Sequence, residues 1–140
     1  MATRSLIGIK NSDNSITYIY CHWDGYPSHN GKILLNHYNN AAIVYELMDL
    51  GDLSKLEQNL YCDDNNHSWE NPVEGVCVAY GRDRGETGTE CKTVNDVKKF
   101  QRLGNSVDHL YLFDTETNKW TIDTDHGVFI ELTPEICKCD

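Results

Sequence analysis

Apolar and polar residues alternate with a period of two in residues 4–10 and 16–22, and a cluster of turn formers, residues 11–15, separates the two runs. The pattern predicts an opening β-hairpin. On its second strand, Ile19, Cys21 and Trp23 fall on one face, the expected core face, and Tyr18, Tyr20 and His22 on the other. The spacing changes after Pro27. Residues 28–38 suit a helix capped by Ser28 with Ile33, Leu34 and Tyr38 near one stripe. Residues 41–49 suit a second helix burying Ile43, Val44, Leu47 and Met48, with Gly51 as its stop.

Residues 49–74 hold seven carboxylates against one lysine, which reads as a long acidic connection. Residues 76–80 suit a short strand that opens into an exposed Gly- and Arg-containing loop over residues 81–90. Thr93 is then placed as the cap of a third helix that buries Val97, Phe100 and Leu103 and ends at Gly104. Residues 109–113, 120–123 and 128–132 are three β-prone runs joined by turn-rich segments, and form a meander. The expected fold is α+β: a mostly antiparallel sheet, made of the hairpin and the three-strand meander, with about three helices packed on it. A single domain spans residues 1–140, with residues 134–140 as a loosely held tail.

The chain has 140 residues, 39% of them hydrophobic, enough for a self-supporting core. It carries no apolar run long enough for a membrane span and no signal-peptide pattern at its start, so a cytoplasmic protein without membrane attachment is expected. Of six cysteines, Cys21, Cys62, Cys77 and Cys91 are widely spaced in ordinary globular sequence and are expected to be reduced thiols. A formal charge of −10 repels phosphate backbones and argues against general DNA binding, while a carboxylate-rich surface suits a basic groove on another protein.

Two groups of residues suggest chemistry. In the first, Tyr20-Cys-His-Trp-Asp-Gly-Tyr-Pro27, rings, an imidazole and a carboxylate crowd a turn, with Trp23 and Tyr26 as ligand-facing candidates. Cys21 and His22 are strand neighbours on opposite faces, which removes a thiol–imidazole dyad. His22, Asp24, His29 and His37 match no metal-ligand spacing, and Cys137-Lys-Cys139 alone is too short to imply zinc; no metal and no cofactor are expected. The second group is Tyr80, Arg82, Asp83, Arg84 and Glu86. It lies in a locally basic island that holds six of the twelve cations, where guanidinium groups suit phosphate or an anchoring role at an interface.

The segments Thr3-Arg-Ser-Leu-Ile-Gly-Ile9, Ile19-Tyr-Cys-His-Trp-Asp-Gly-Tyr-Pro27, Gly31-Lys-Ile-Leu-Leu-Asn-His-Tyr38, Gly51-Asp-Leu-Ser54 and Ala79-Tyr-Gly-Arg-Asp-Arg-Gly-Glu86 resemble a family of small uncharacterised bacteriophage and prophage proteins. The likeness covers roughly residues 3–90 and carries over no catalytic residue. It implies a viral accessory protein in the bacterial host cytoplasm. Small phage proteins of this kind often counter bacterial immunity, CRISPR-Cas or another defence system, by docking on a defence protein or sequestering its nucleotide signal.

No complete set of nucleophile, base and orienter can be assembled from the residues, so the leading expectation is an inhibitor rather than an enzyme. It would act by stoichiometric binding to a host defence protein or protein–nucleic-acid complex. The alternative is a small-nucleotide binding module, either a signal sponge or a metal-independent phosphodiesterase. There His22 would be the acid or base, Asp24 its orienter, and Arg82 and Arg84 the phosphate ligands.

Overall fold

A computed structural model describes residues 2–63, 66–124 and 127–138. Strands β1 (Ser5–Lys10) and β2 (Ile16–Cys21) form the expected antiparallel hairpin, with Ser5 opposite Cys21 and Lys10 opposite Ile16. The hairpin is followed by helices α1 (Lys32–His37) and α2 (Ala41–Leu50), then by β3 (Leu53–Lys55), β4 (Val78–Ala79) and the single-turn helix α3 (Tyr80–Arg84). The chain continues through β5 (Lys92–Val94), α4 (Val97–Leu103), the strands β6 (His109–Asp114), β7 (Lys119–Asp123) and β8 (Ile130–Glu131), and closes with α5 (Pro134–Lys138).

The α+β class holds, but the sheet is mixed rather than mostly a hairpin and a separate meander. Its eight strands run in the order β4-β3-β2-β1-β6-β7-β8, with β5 also paired to β2. The meander β6-β7-β8 is antiparallel as expected, but it joins the hairpin through a parallel pairing of β6 with β1, and β2 pairs with β3 in parallel as well. Five α-helices among the described residues, rather than about three, accompany this sheet.

The period-two pattern explains why both faces of the sheet are covered. Ile7, Ile9, Ile19, Tyr111, Phe113, Trp120 and Ile122 point to one side, where Leu34 of α1, Val44, Leu47 and Met48 of α2, and Cys137 of α5 complete the main core. Leu6, Ile16, Leu110 and Leu112 point to the other side and meet Phe100 of α4 and Val107. Polar groups inside the main core are paired: the indole Nε1–H of Trp120 donates to the Tyr38 carbonyl at 2.7 Å, and the Tyr38 hydroxyl donates to the Glu57 carbonyl at 2.8 Å.

Several local expectations are corrected. Ser28 does not stand at a helix cap position but inside Pro27–Gly31, a wide π-type turn that opens on extended Tyr26 with proline at its first position, and α1 begins only at Lys32. Asn40 caps α2, its side-chain oxygen accepting the Ile43 N–H. Residues 53–55 of the acidic connection are a strand, held by the buried Leu53 and flanked by the buried Leu56 and Leu60. Residues 81–84 of the expected open loop are helical, together with Tyr80 from the end of the expected strand, and residue 85 ends that turn in the left-handed region. Asp96, not Thr93, caps α4 by accepting the Lys99 N–H, while Thr93 belongs to β5. The supposed tail is largely α5, which inserts Cys137 into the core. Residues 125–126 of the last turn, and Cys139 with residue 140, lie outside the described residues.

No helix among the described residues is long and apolar enough to cross a membrane. Cys21, Cys77 and Cys91 are free thiols.

Gly51 ends α2 with φ +83°, and a Cβ there would stand 2.5 Å from the Thr89 carbonyl oxygen. Gly51→Ala therefore combines backbone strain with a clash against backbone. It is expected to lower the unfolding free energy by about 3 kcal/mol, read as a lower denaturant midpoint at unchanged slope.

Candidate functional site

The aromatic turn follows β2 because two close approaches force it there. A Cβ on Gly25 would lie 2.8 Å from the Thr3 carbonyl oxygen and 2.9 Å from Ser5 Cβ, so only glycine lets the backbone cross the start of β1. The Gly25 N–H donates to the Thr3 carbonyl, and its own carbonyl accepts from the Tyr111 hydroxyl at 2.6 Å. Asn30 is fully buried beneath the turn and donates to Ser5 Oγ and Cys21 Sγ. The Cys21 thiol is sealed in the core, where burial pushes its pKa up to about 12, and His22 emerges on the opposite face.

Trp23 does not join the core as the strand parity suggested. It lies beyond the end of β2, is 44% exposed, and meets His22 edge to face at 4.7 Å. The hydrogen-bond partner of His22 is the Tyr20 hydroxyl, at 2.7 Å from Nδ1, rather than Asp24. Asp24 sits in the left-handed region and its carbonyl accepts from Asn30. Tyr26 is half-buried, 6.2 Å from the His29 ring, and borders a separate groove with Thr3, Ser28 and His109.

The two arginines of α3 have different surroundings. Arg82 turns inward: its guanidinium donates to the Leu60 carbonyl at 2.5 Å, to the Cys77 carbonyl at 2.8 Å, and to both oxygens of Asp83 at 2.9 and 3.0 Å. Asp83, its side chain only 4% exposed, also accepts the Ala79 N–H at 2.8 Å. The buried His67 completes this knot. Its Nδ1 accepts the Val73 N–H, so Nε2 carries the ring proton and faces Asp83 Oδ2 at 3.3 Å and the Cys77 carbonyl at 3.2 Å. Arg82 and Asp83 thus hold the acidic connection against α3. Burial pushes the Asp83 carboxyl up, but hydrogen bonds from Arg82 and Ala79, with the positive charge beside it, outweigh that and hold it below the usual aspartate range.

Arg84 turns outward. Its guanidinium carbon lies 4.7 Å from the centre of the Trp69 ring, and its only ion pair among the described residues is a loose one to Glu86 at 3.7 Å. The far neighbour of Trp69 is Tyr80, with ring centres 5.2 Å apart. Tyr80 in turn shares a hydrogen bond through its hydroxyl with Ser54. Tyr61, 59% exposed, extends this surface beside Arg82.

Asp52, which read only as one carboxylate of the acidic connection, links the strand before the aromatic turn to α3. Its carboxylate accepts the Tyr20 N–H at 2.9 Å and its carbonyl the Tyr80 N–H at 3.1 Å, while the Ser54 carbonyl accepts the Trp23 N–H at 3.0 Å. Main-chain hydrogen bonds at Asp52 and Ser54 therefore tie β2 and the start of the aromatic turn to the segment that carries α3, where Arg84, unlike the inward Arg82, shares an outward face with Trp69 and Tyr80. Trp69 and Asp52 were missed because both lie in the acidic connection. A lone tryptophan in so polar a stretch was the available signal.

Among the described residues no group of three or more His, Cys, Asp or Glu side chains is placed to share a metal ion. No protein-family model, curated protein or solved structure matches the chain.

The knot at Asp83 gives a pH signature. A carboxyl held below its unfolded value of about 3.9 contributes stability that is fully present above that pH and is lost as pH falls through the lower folded value. Asp83→Asn is expected to cost about 2 kcal/mol at pH 7. The gap between variant and parent should narrow steadily below about pH 4 in denaturant titrations at stepped pH.

Proposed function

We propose that this protein is a phage-encoded accessory protein that works in the bacterial host cytoplasm, countering immunity by stoichiometric binding to a host defence protein or complex. The observation that carries the reading is the outward stack of Arg84, Trp69 and Tyr80. Tryptophan, tyrosine and arginine are the residue types that dominate binding energy at protein interfaces. Here Tyr80 and Arg84 of the short helix α3 meet Trp69 of the connection packed against it, and the Arg82–Asp83–His67 knot braces both from beneath, so little ordering remains to be done on association. Glu70 and Glu86 border the stack, and the net charge of −10 favours a partner with a basic rim.

Two of the groups that the sequence offered for chemistry are engaged in holding the fold. Arg82 is spent on internal carbonyls and Asp83, and the thiol of Cys21 is sealed away from His22. Occupancy of a partner, rather than turnover, fits such an arrangement. The resemblance to phage and prophage proteins supplies the biological setting.

Trp69→Ala and Arg84→Ala are each expected to weaken partner binding about 30-fold while leaving the denaturation midpoint within about 0.5 kcal/mol of the parent for Arg84. The measurement is titration of phage plating efficiency, on hosts carrying single defence systems, against the intracellular dose of the protein. Protection should saturate near one copy per target and be lost in both variants. Full protection at doses far below the target, or full protection by both variants, would refute the reading.

A further inference from the structure

The amino-terminal ends of β1 and β6, which run side by side, leave a cleft of about 490 Å³ beneath the turn at residues 104–106. Its walls come from Arg4, His22, Trp23, Asn105, Ser106 and Asp108. The volume falls in the range of small-molecule sites. The register explains the gathering. Ser5 pairs with Cys21 on one side and His109 on the other, so the preceding residue Arg4 stands between His22 and Asp108. This cleft is separate from the Arg84–Trp69 stack and makes no use of Arg82, whose guanidinium is fully engaged elsewhere.

Each wall offers a different kind of contact. Trp23 presents an exposed ring suited to stacking on a planar heterocycle. The Arg4 guanidinium makes no ion pair or hydrogen bond among the described residues, although its own backbone N–H reaches Asp108 Oδ2 at 2.9 Å. In an acidic chain, a cation at a cleft wall without a carboxylate partner is well placed for a phosphate. Asp108 is anchored through one oxygen, which leaves acceptor capacity for sugar hydroxyls. His22 is fixed at Nδ1 by Tyr20, and its Nε2 has no partner among the described residues. The Asn105 carboxamide likewise makes no side-chain hydrogen bond there and can meet the polar edge of a base.

We propose that this cleft binds a nucleoside phosphate, with the base on Trp23, the ribose hydroxyls toward Asp108 and the phosphate on Arg4. The proposal stands independently of partner binding by the Arg84 face. A ring alone would not require Arg4, and a bare anion would not require Trp23 or tolerate Asp108. The combination selects a ligand carrying ring, sugar and phosphate together.

The test uses the full chain and isothermal titration with AMP, adenosine, ribose 5-phosphate and inorganic phosphate, with Arg4→Gln, Trp23→Ala and Arg84→Ala as variants. AMP should bind at least about tenfold more tightly than any of the three fragments. Arg4→Gln should weaken AMP about tenfold and leave adenosine unchanged, Trp23→Ala should weaken both, and Arg84→Ala should change neither. Absence of heat or fluorescence quenching with AMP at about 1 mM would overturn the proposal. So would equal affinity for AMP and inorganic phosphate, or AMP binding indifferent to both cleft variants. The ligand series on the parent protein decides the matter even if a variant misfolds.

Discussion

Six residue pairs between β1 and β6, from Ser5 with His109 to Lys10 with Asp114, hold the molecule together. The two strands lie a hundred residues apart in the chain, yet their parallel ladder turns a hairpin and a meander into one sheet with two buried faces. Helices α1, α2 and α5 can share a core on one face only because Ile7, Ile9, Tyr111 and Phe113 are set side by side there. On the other face the same ladder places Leu6 beside Leu110 and Leu112, under Phe100. Where the ladder stops at its amino-terminal end, Arg4 and Asp108 emerge together. The cleft thus forms where the pairing ends, with the turn at residues 104–106 and the segment after β2 closing its sides.

The arginines illustrate how one residue type is divided between structure and surface. Arg82 satisfies two carbonyls, those of Leu60 and Cys77, and a buried carboxylate, and so pins irregular chain against α3. Arg84, two positions on, is displayed on an indole ring where its charge stays hydrated. Asp52 performs a comparable joining role, since one residue receives N–H groups from both β2 and α3. Burial raises its pKa, and the N–H of Tyr20 and the distant Lys92 ammonium work in the opposite direction.

Much of the fold was legible locally. The hairpin, α2 and the meander all follow from alternation, helical spacing and turn residues, because in each case the partners are close in sequence. The parallel joins were not legible, since nothing in the residues of β1 marks β6, rather than a hairpin neighbour, as its second partner. Strand β3 has three residues and α5 five, too few for a period to stand out. At the candidate site Trp23, Tyr80 and the arginines were visible as residue types. Their roles depended on packing: strand parity put Trp23 in the core, whereas the left-handed turn at Asp24 and the crossing at Gly25 carry the chain away from the sheet. Arg4 escaped notice because it read as an ordinary polar position at a strand start.

The sheet's outer strands, β4 and β8, are each only two residues long, and β4 runs directly into α3. Unpaired strand borders invite identical chains to add on, and such short borders offer almost no template for doing so. Abbreviated borders therefore leave little backbone along which a second copy of this chain could extend the sheet at β4 or β8.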